Sequence, residues 1–198
     1  MNVQAQTTRE TILDAAEAIV TEAGSARMTL ESIAQRAGVS KGGLIYYFRS
    51  KHALLEAMID RMLDRWNELR DQIYAELPES PTRFLQAEIM TFRRIHQEHQ
   101  CVSAGLLAVV ANQPQLLEPV RRLHRERLKH MLAQPQVFDK SALLMTVIDG
   151  FVMQDLFQVC PYDNAQREAI LDALLREAQA LGEAAAGASP ADPPADKN

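Results

Sequence analysis

A chain of 198 residues can form one large domain or two small ones, and 47% hydrophobic residues suffice for a substantial core. No apolar run is long enough to span a bilayer, Met1–Thr8 is polar, and Cys101 and Cys160 lack metal-ligand spacing, so a cytoplasmic protein with no membrane segment and no disulfide is expected. The net charge of −5 argues against a nucleic-acid partner, but its distribution argues for one. Residues 25–52 hold Arg27, Arg36, Lys41, Arg49 and Lys51 against Glu31 alone, a local balance of +4, and residues 53–198 sum to −6.

Glycine is sparse and β-branched residues form no alternating runs, which predicts helix throughout. The first predicted helix spans residues 8–22, with Thr7 and Glu10 as a capping box and Ile12, Leu13, Ala16, Ile19 and Val20 as its apolar stripe. Gly24 ends it. A short helix over 30–37 follows, capped by Thr29 and turned inward through Leu30, Ile33, Ala34 and Ala37. Gly38 then supplies a left-handed corner, and Val39 plugs it. Ser40 caps a second short helix, in which Leu44 and Phe48 turn inward four residues apart. Two short helices joined by a tight turn form the plan of a helix-turn-helix DNA reader.

A long helix is predicted over 50–76, with Leu55, Met58, Ile59, Met62, Trp66, Leu69 and Ile73 keeping helical period. It would be a rod of about 39 Å. Only its first third can pack on so small a reader, so the rest must enter a second domain. Pro78 and Pro81 stop it, and Ser80-Pro81 reads as the start of a helix carrying Phe84, Leu85, Glu88, Ile89, Phe92 and Ile95. Further helices are predicted over 102–111, 115–132, 140–159 and 164–181, with a loop at 133–138. The last two are apolar on more than one face, so each is expected to be buried on two sides. After Gly182 the composition collapses to Ala, Pro, Gly, Ser and Asp, which reads as a disordered tail. The expected fold is all-α with about nine helices: a helix-turn-helix domain over 1–52, a helical core over 53–182, and a tail over 183–198.

The segment TLESIAQRAGVSKGGLIYYFRSK, residues 29–51, resembles the DNA-binding signature of the TetR family of bacterial transcriptional regulators. The match takes in residues 8–28 before it and runs on through Ser50-Lys51-His52-Ala53-Leu54-Leu55, covering roughly the first 60 residues. One departure stands out. Many members carry two aromatics directly after the leucine of the recognition helix, and here the first is Ile45, which moves the phosphate-contact load to Tyr46 and Tyr47. The resemblance implies a homodimer built on the last two helices as a four-helix bundle, with Val147, Phe151, Gln154, Ile170 and Leu174 expected at the interface. It also implies a ligand cavity in the core.

On this reading Ser40 and the backbone of Lys41, Gly42 and Gly43 face DNA. The two glycines weaken the helix by roughly 1 kcal/mol each relative to alanine, which suits close approach of backbone to DNA. Lys41 either reads a guanine edge or holds a phosphate. Tyr46 offers an aromatic body to a thymine methyl and a hydroxyl to phosphate. Tyr47 is either half-buried support or a phosphate contact. Lys51 holds the backbone, and Arg27 and Thr29 lie where a phosphate contact is plausible, Arg27 being otherwise a solvated charge. Met62, Trp66, Met90, Phe92 and His96 either line the effector cavity or are plain core. His96, His99 and Cys101 have a metal-like look but no fourth ligand. No cofactor motif, nucleophile elbow or catalytic pair of acids appears, so no enzyme and no cofactor are expected. The expected function is a repressor that binds double-stranded DNA at a palindromic operator as a homodimer and is released by a small, mostly apolar effector. The alternative is a DNA-binding protein of the same fold whose core contacts a protein partner.

Overall fold

The computed structural model of the protein describes residues 3–23, 27–97, 114–157 and 159–187. Among these residues eight α-helices form: α1 Val3–Ala23, α2 Leu30–Ala37, α3 Lys41–Tyr47, α4 Lys51–Glu76, α5 Arg83–Gln97, α6 Glu118–Leu132, α7 Phe138–Phe157 and α8 Asn164–Gly187. Short 3₁₀ turns, Pro114–Leu117 and Pro135–Val137, lead into α6 and α7. The helix expected over 102–111 lies outside the described residues, as do His99 and Cys101 of the metal-like trio.

Packing divides the chain into two compact units. The first comprises residues 1–67, 100–125 and 153–160. Its core joins Ile12, Leu13, Ala16, Ile19 and Val20 of α1 to Ile33, Leu44 and Phe48, and to Leu54, Leu55, Met58 and Ile59 of α4. Leu116 closes the same core. The unit takes α4 as far as Asn67, with Leu54, Leu55, Met58 and Ile59 in this core. A charged clasp reinforces α4 on α1. Arg61, whose side chain is 11% exposed, reaches Glu10 at 3.1 Å, Asp14 at 2.7 Å and Glu17 at 2.7 Å, and Arg65 adds Glu17 at 3.2 Å. These acids stand four and three residues apart on one face of α1. They also explain a misread start. Thr7 and Glu10 form no capping box, because α1 already begins at Val3 and the Glu10 carboxylate is taken by Arg9 and Arg61.

The second unit comprises residues 68–99, 126–152 and 161–198. Its apolar interior is built from Leu85, Ala87, Ile89 and Phe92 of α5, Met145, Ile148 and Phe151 of α7, and Leu171, Leu174 and Ala178 of α8. The start of α5 falls at Arg83, not at Pro81, because Thr82 takes over the cap. Its carbonyl accepts the Gln86 N–H at 2.9 Å, and its hydroxyl donates to the Ala178 carbonyl of α8 at 2.7 Å. Gly182, read from sequence as a helix end, sits buried inside α8 at the same contact. A Cβ there would overlap Ser80 Oγ and stand 2.5 Å from Thr82 Oγ1. The glycine is needed for close approach, and the helix continues through 183–187, where a tail was expected.

The second unit also buries charge. Glu88 is fully buried and receives Arg127 in a two-pronged bond, Nε to Oε1 at 3.1 Å and Nη2 to Oε2 at 2.7 Å. Arg127 also reaches Asp149 at 3.2 Å, and Arg70 lies 3.5 Å from Glu88.

Candidate nucleic-acid interface

The two-helix reader is fixed by local hydrogen bonds. Thr29 has extended backbone; its Oγ1 accepts the Ser32 N–H at 3.1 Å, and Ser32 Oγ accepts the Thr29 N–H at 3.0 Å. This reciprocal box satisfies two amide groups that a helix start leaves open. Gly38 takes φ +67°, where only glycine is free of Cβ strain, and the Val39 N–H returns to the Ala34 carbonyl at 3.0 Å. Ser40 Oγ then accepts the Gly43 N–H at 3.0 Å. A Cβ on Gly43 would stand 3.2 Å from that same oxygen, whereas Gly42 has nothing closer than 4.0 Å. Gly43 thus makes room for the cap, and Gly42 keeps a bare backbone on the surface. Finally, Ser50 Oγ accepts the Ala53 N–H at 3.1 Å and starts α4.

With Ile33, Ala34, Leu44 and Phe48 turned inward, the opposite face carries the residues picked from sequence. Arg27, Thr29, Ser40, Lys41 and Gly42 are exposed, and Gly43 and Lys51 are half-buried. Tyr46 is 80% exposed. Tyr47 is half-buried, packs on the core, and meets the Tyr46 ring edge-on at 5.2 Å. That geometry favours support for Tyr47 and leaves Tyr46 as the projecting aromatic. Ile45, the departure from the family pattern, is 40% exposed beside them.

Two of the five cations are already engaged. Arg36 makes two 2.6 Å bonds to Glu22 of α1, and Lys41 pairs with Glu31 of α2. The hydrogen bond from Arg36 holds the Glu22 carboxyl below its ordinary value of 4.5, and the hydrogen bond from Lys41 does the same for Glu31. Neither pairing was read from sequence. The signal available was that Glu31 is the lone acid in a basic window.

The five residues expected to line an effector cavity are shared between the two units. Met62 and Trp66 belong to the first unit, and Met90, Phe92 and His96 to the second. Within the second, the Phe92 ring stacks on His96 at 6.2 Å and on Phe151 at 5.8 Å, and the Arg167 guanidinium lies 5.1 Å over Phe151 and 3.4 Å from His96 Nδ1. A separate crevice lined by Pro81, Phe84, His130, Met131, Val137 and Ser141 encloses about 10 Å³, room for one water, and holds none of the five. The core also carries more inward charge than expected, in Glu88, Arg127 and Arg167.

Of the residues expected at a dimer interface, Phe151 and Leu174 are 2% and 7% exposed and are occupied inside their own unit. Helical period showed two apolar sides but not which one faces in. Val147 is 40% exposed, while Gln154 and Ile170 are half-buried. The exposed apolar side of α7 is Leu143, Val147, Met153 and Phe157.

This reader and helical body have close counterparts. Residues 12–58 match the family described as bacterial regulatory proteins, tetR family, and residues 82–179 match the tetracyclin repressor-like C-terminal domain. The HTH-type transcriptional regulator BetI of Serratia proteamaculans is 30% identical over 173 residues, covering 82% of this chain and 87% of that protein. The chain belongs to the TetR family. Its relatives include the HTH-type regulator BetI of Escherichia coli O139:H28, 40% identical over 170 residues with 79% and 86% of the two chains covered. The HTH-type regulator AcrR of Shigella flexneri is 28% identical, with 81% and 83% covered. A transcriptional regulator from Rhodococcus sp. Rha1 shares the fold at a TM-score of 0.67, 20% identity, and 87% and 96% coverage. The multidrug binding protein EbrR, solved with imidazole, does so at 0.58, 21% identity, and 93% and 97% coverage. This TetR-type protein is therefore a helix-turn-helix transcriptional regulator and not an enzyme. Among the described residues no helix is long and apolar enough to cross a membrane.

Proposed function

We propose that this regulator is a repressor that binds a palindromic operator as a homodimer and is released by a small effector. The observation that carries the reading is the capped reader, which turns Ser40, Lys41, Gly42 and Tyr46 outward beside Arg27, Thr29 and Lys51. Arg27, Arg49 and Lys51 supply the backbone-holding charge, too little for useful affinity from one reader, so two copies act together. Two readers about 34–36 Å apart meet successive major grooves. The second copy docks on α7 through Leu143, Val147, Met153 and Phe157. Gln154 Oε1, buried without a hydrogen-bond partner among the described residues, would find a donor there.

Release follows when an effector binds more tightly to the form with misplaced readers, since only differential affinity shifts such an equilibrium. The helix that contributes to both units, α4, is the path of coupling. That EbrR is a multidrug binding protein solved with imidazole supports a small-molecule role for this fold. The buried charges Glu88, Arg127 and Arg167 suit a mostly apolar effector poorly and favour the second reading, a protein partner on the core. Fluorescence anisotropy on a selected operator, with lipophilic compounds added, separates the two. Dose-dependent release, together with a dimer in light scattering that Val147→Glu and Phe157→Glu break, supports the repressor. A monomeric wild type, or no release by any compound that raises the thermal midpoint, removes it.

A further inference from the structure

The Lys41–Glu31 pair sits on the face that must meet DNA. Glu31 is the second residue of α2 and Lys41 the first of α3, so the pair bridges the two helices of the reader. Both side chains are mostly exposed, at 65% and 57%. A surface pair adds little stability in general, and here it sets a carboxylate beside a cation that a polyanion should attract. If Lys41 held a phosphate, the Glu31 carboxylate would lie beside that phosphate and repel it. In the major groove the same carboxylate meets amine donors, chiefly the cytosine N4 amine, while the ammonium can donate to guanine O6 and N7. The other cations are differently placed: Arg36 is drawn off to Glu22, and Arg27 and Arg49 are exposed without a carboxylate of this kind beside them in the structure described.

We propose that Glu31 is a specificity-determining residue of the reader, which withholds Lys41 from the phosphate backbone and makes the pair a reader of a C·G step. The inference rests on the DNA-binding reading above. It assigns the non-specific, salt-sensitive contacts to Arg27, Arg49 and Lys51, and the sequence-dependent contact to Glu31 with Lys41. It also gives the lone acid of the basic window a task that stability does not require of it.

The test uses the full-length protein, a randomised duplex library and a random-sequence duplex titrated against salt. Wild type, Glu31→Ala, Glu31→Gln and Lys41→Ala are compared. The expected result is a C·G preference in each half-site selected by wild type, weakened about tenfold or more in both Glu31 variants and at the same position in Lys41→Ala. Glu31→Ala should also bind the random duplex more tightly, with a salt slope steeper by about 0.9 per reader, because Lys41 is now free to take a phosphate. Unchanged site preference and slope in Glu31→Ala overturn the inference while leaving the DNA-binding reading intact. So does a uniform loss of binding to all duplexes with a shallower slope. A wild type that binds no duplex overturns both.

Discussion

Removing Arg127 should be among the most damaging single changes in the second unit. Glu88 is 0% exposed, and Arg127 is its two-pronged partner at 2.7 and 3.1 Å. Replacing the guanidinium by an apolar side chain of similar length, Arg127→Met, removes the two-pronged partner of an interior carboxylate, and Arg70, at 3.5 Å, stands beyond a good hydrogen bond from it. Breaking a buried pair from one side costs about 3–5 kcal/mol. That is a large part of the roughly 5–15 kcal/mol that holds a typical domain folded. The double variant Glu88→Leu with Arg127→Met removes both charges. Asp149 is about one-third exposed and can turn to water, while Arg70 keeps Asp71 at 2.8 Å. The double variant should therefore recover most of the loss, since replacing a buried pair by well-packed apolar groups is often neutral. Urea unfolding of wild type, Glu88→Leu, Arg127→Met and the double variant at one fixed protein concentration gives the coupling energy. A single variant within about 1 kcal/mol of wild type, or a double variant as unstable as the single, would refute the reasoning.

Gly182→Ala should destabilise by about 1–3 kcal/mol, because its methyl collides with Ser80 and Thr82 at the start of α5; urea unfolding that leaves it level with wild type contradicts the close approach. Gly42→Ala should stabilise by up to about 1 kcal/mol, while Gly43→Ala gains less or loses, since only the latter crowds the Ser40 cap; equal gains at both sites would show that the cap does not constrain position 43. Asp60 provides a pH test. Burial, against the pull of Arg122, raises its carboxyl above the ordinary 3.8, with Asp64 and Glu56 adding to the rise. The proton on Asp60 therefore favours the fold below the ordinary value, and that contribution is lost as pH rises through the raised one. The stability of Asp60→Asn relative to wild type should be greater at neutral pH than near pH 3, and a difference that does not change with pH would argue against it.

The reader was legible in the sequence because nearly everything that shapes it is local. Thr29, Gly38, Ser40 and Ser50 act within a few residues of themselves, and Leu44 with Phe48 is a spacing visible by eye. Misreadings came where the deciding partner lies far along the chain. Thr7 and Glu10 have capping-box spacing, yet Glu10 answers to Arg61, 51 residues away. Gly182 looks like a stop, and only the hydroxyls at Ser80 and Thr82 show that it is a contact point. Glu88 lay in the apolar stripe of its predicted helix, and nothing local reveals that Arg127 neutralises it. In α7 and α8 the pattern is apolar nearly all round, so periodicity could not tell Phe151, which faces in, from Leu143 and Phe157, which face out.

The way the first unit is locked constrains how any effector can act on the proposed operator contact. Leu54, Leu55, Met58 and Ile59 of α4 share one core with α1, α2 and α3. Arg61 adds ion pairs to three acids of α1, with its own side chain 11% exposed. Sliding the start of α4 along α1 would break those pairs together and expose the apolar side chains beneath, so packed elements of this kind move as bodies rather than deform. The caps at Thr29 and Ser40 hold the recognition face to the same frame. A mechanism in which the effector melts or reshapes the reader would have to overcome all of these contacts. A mechanism in which each reader travels whole, and only the separation between two readers changes, leaves every one of them intact. On the proposed reading the second is therefore the lower-energy route, and the control of DNA affinity would lie in the geometry of the pair of copies.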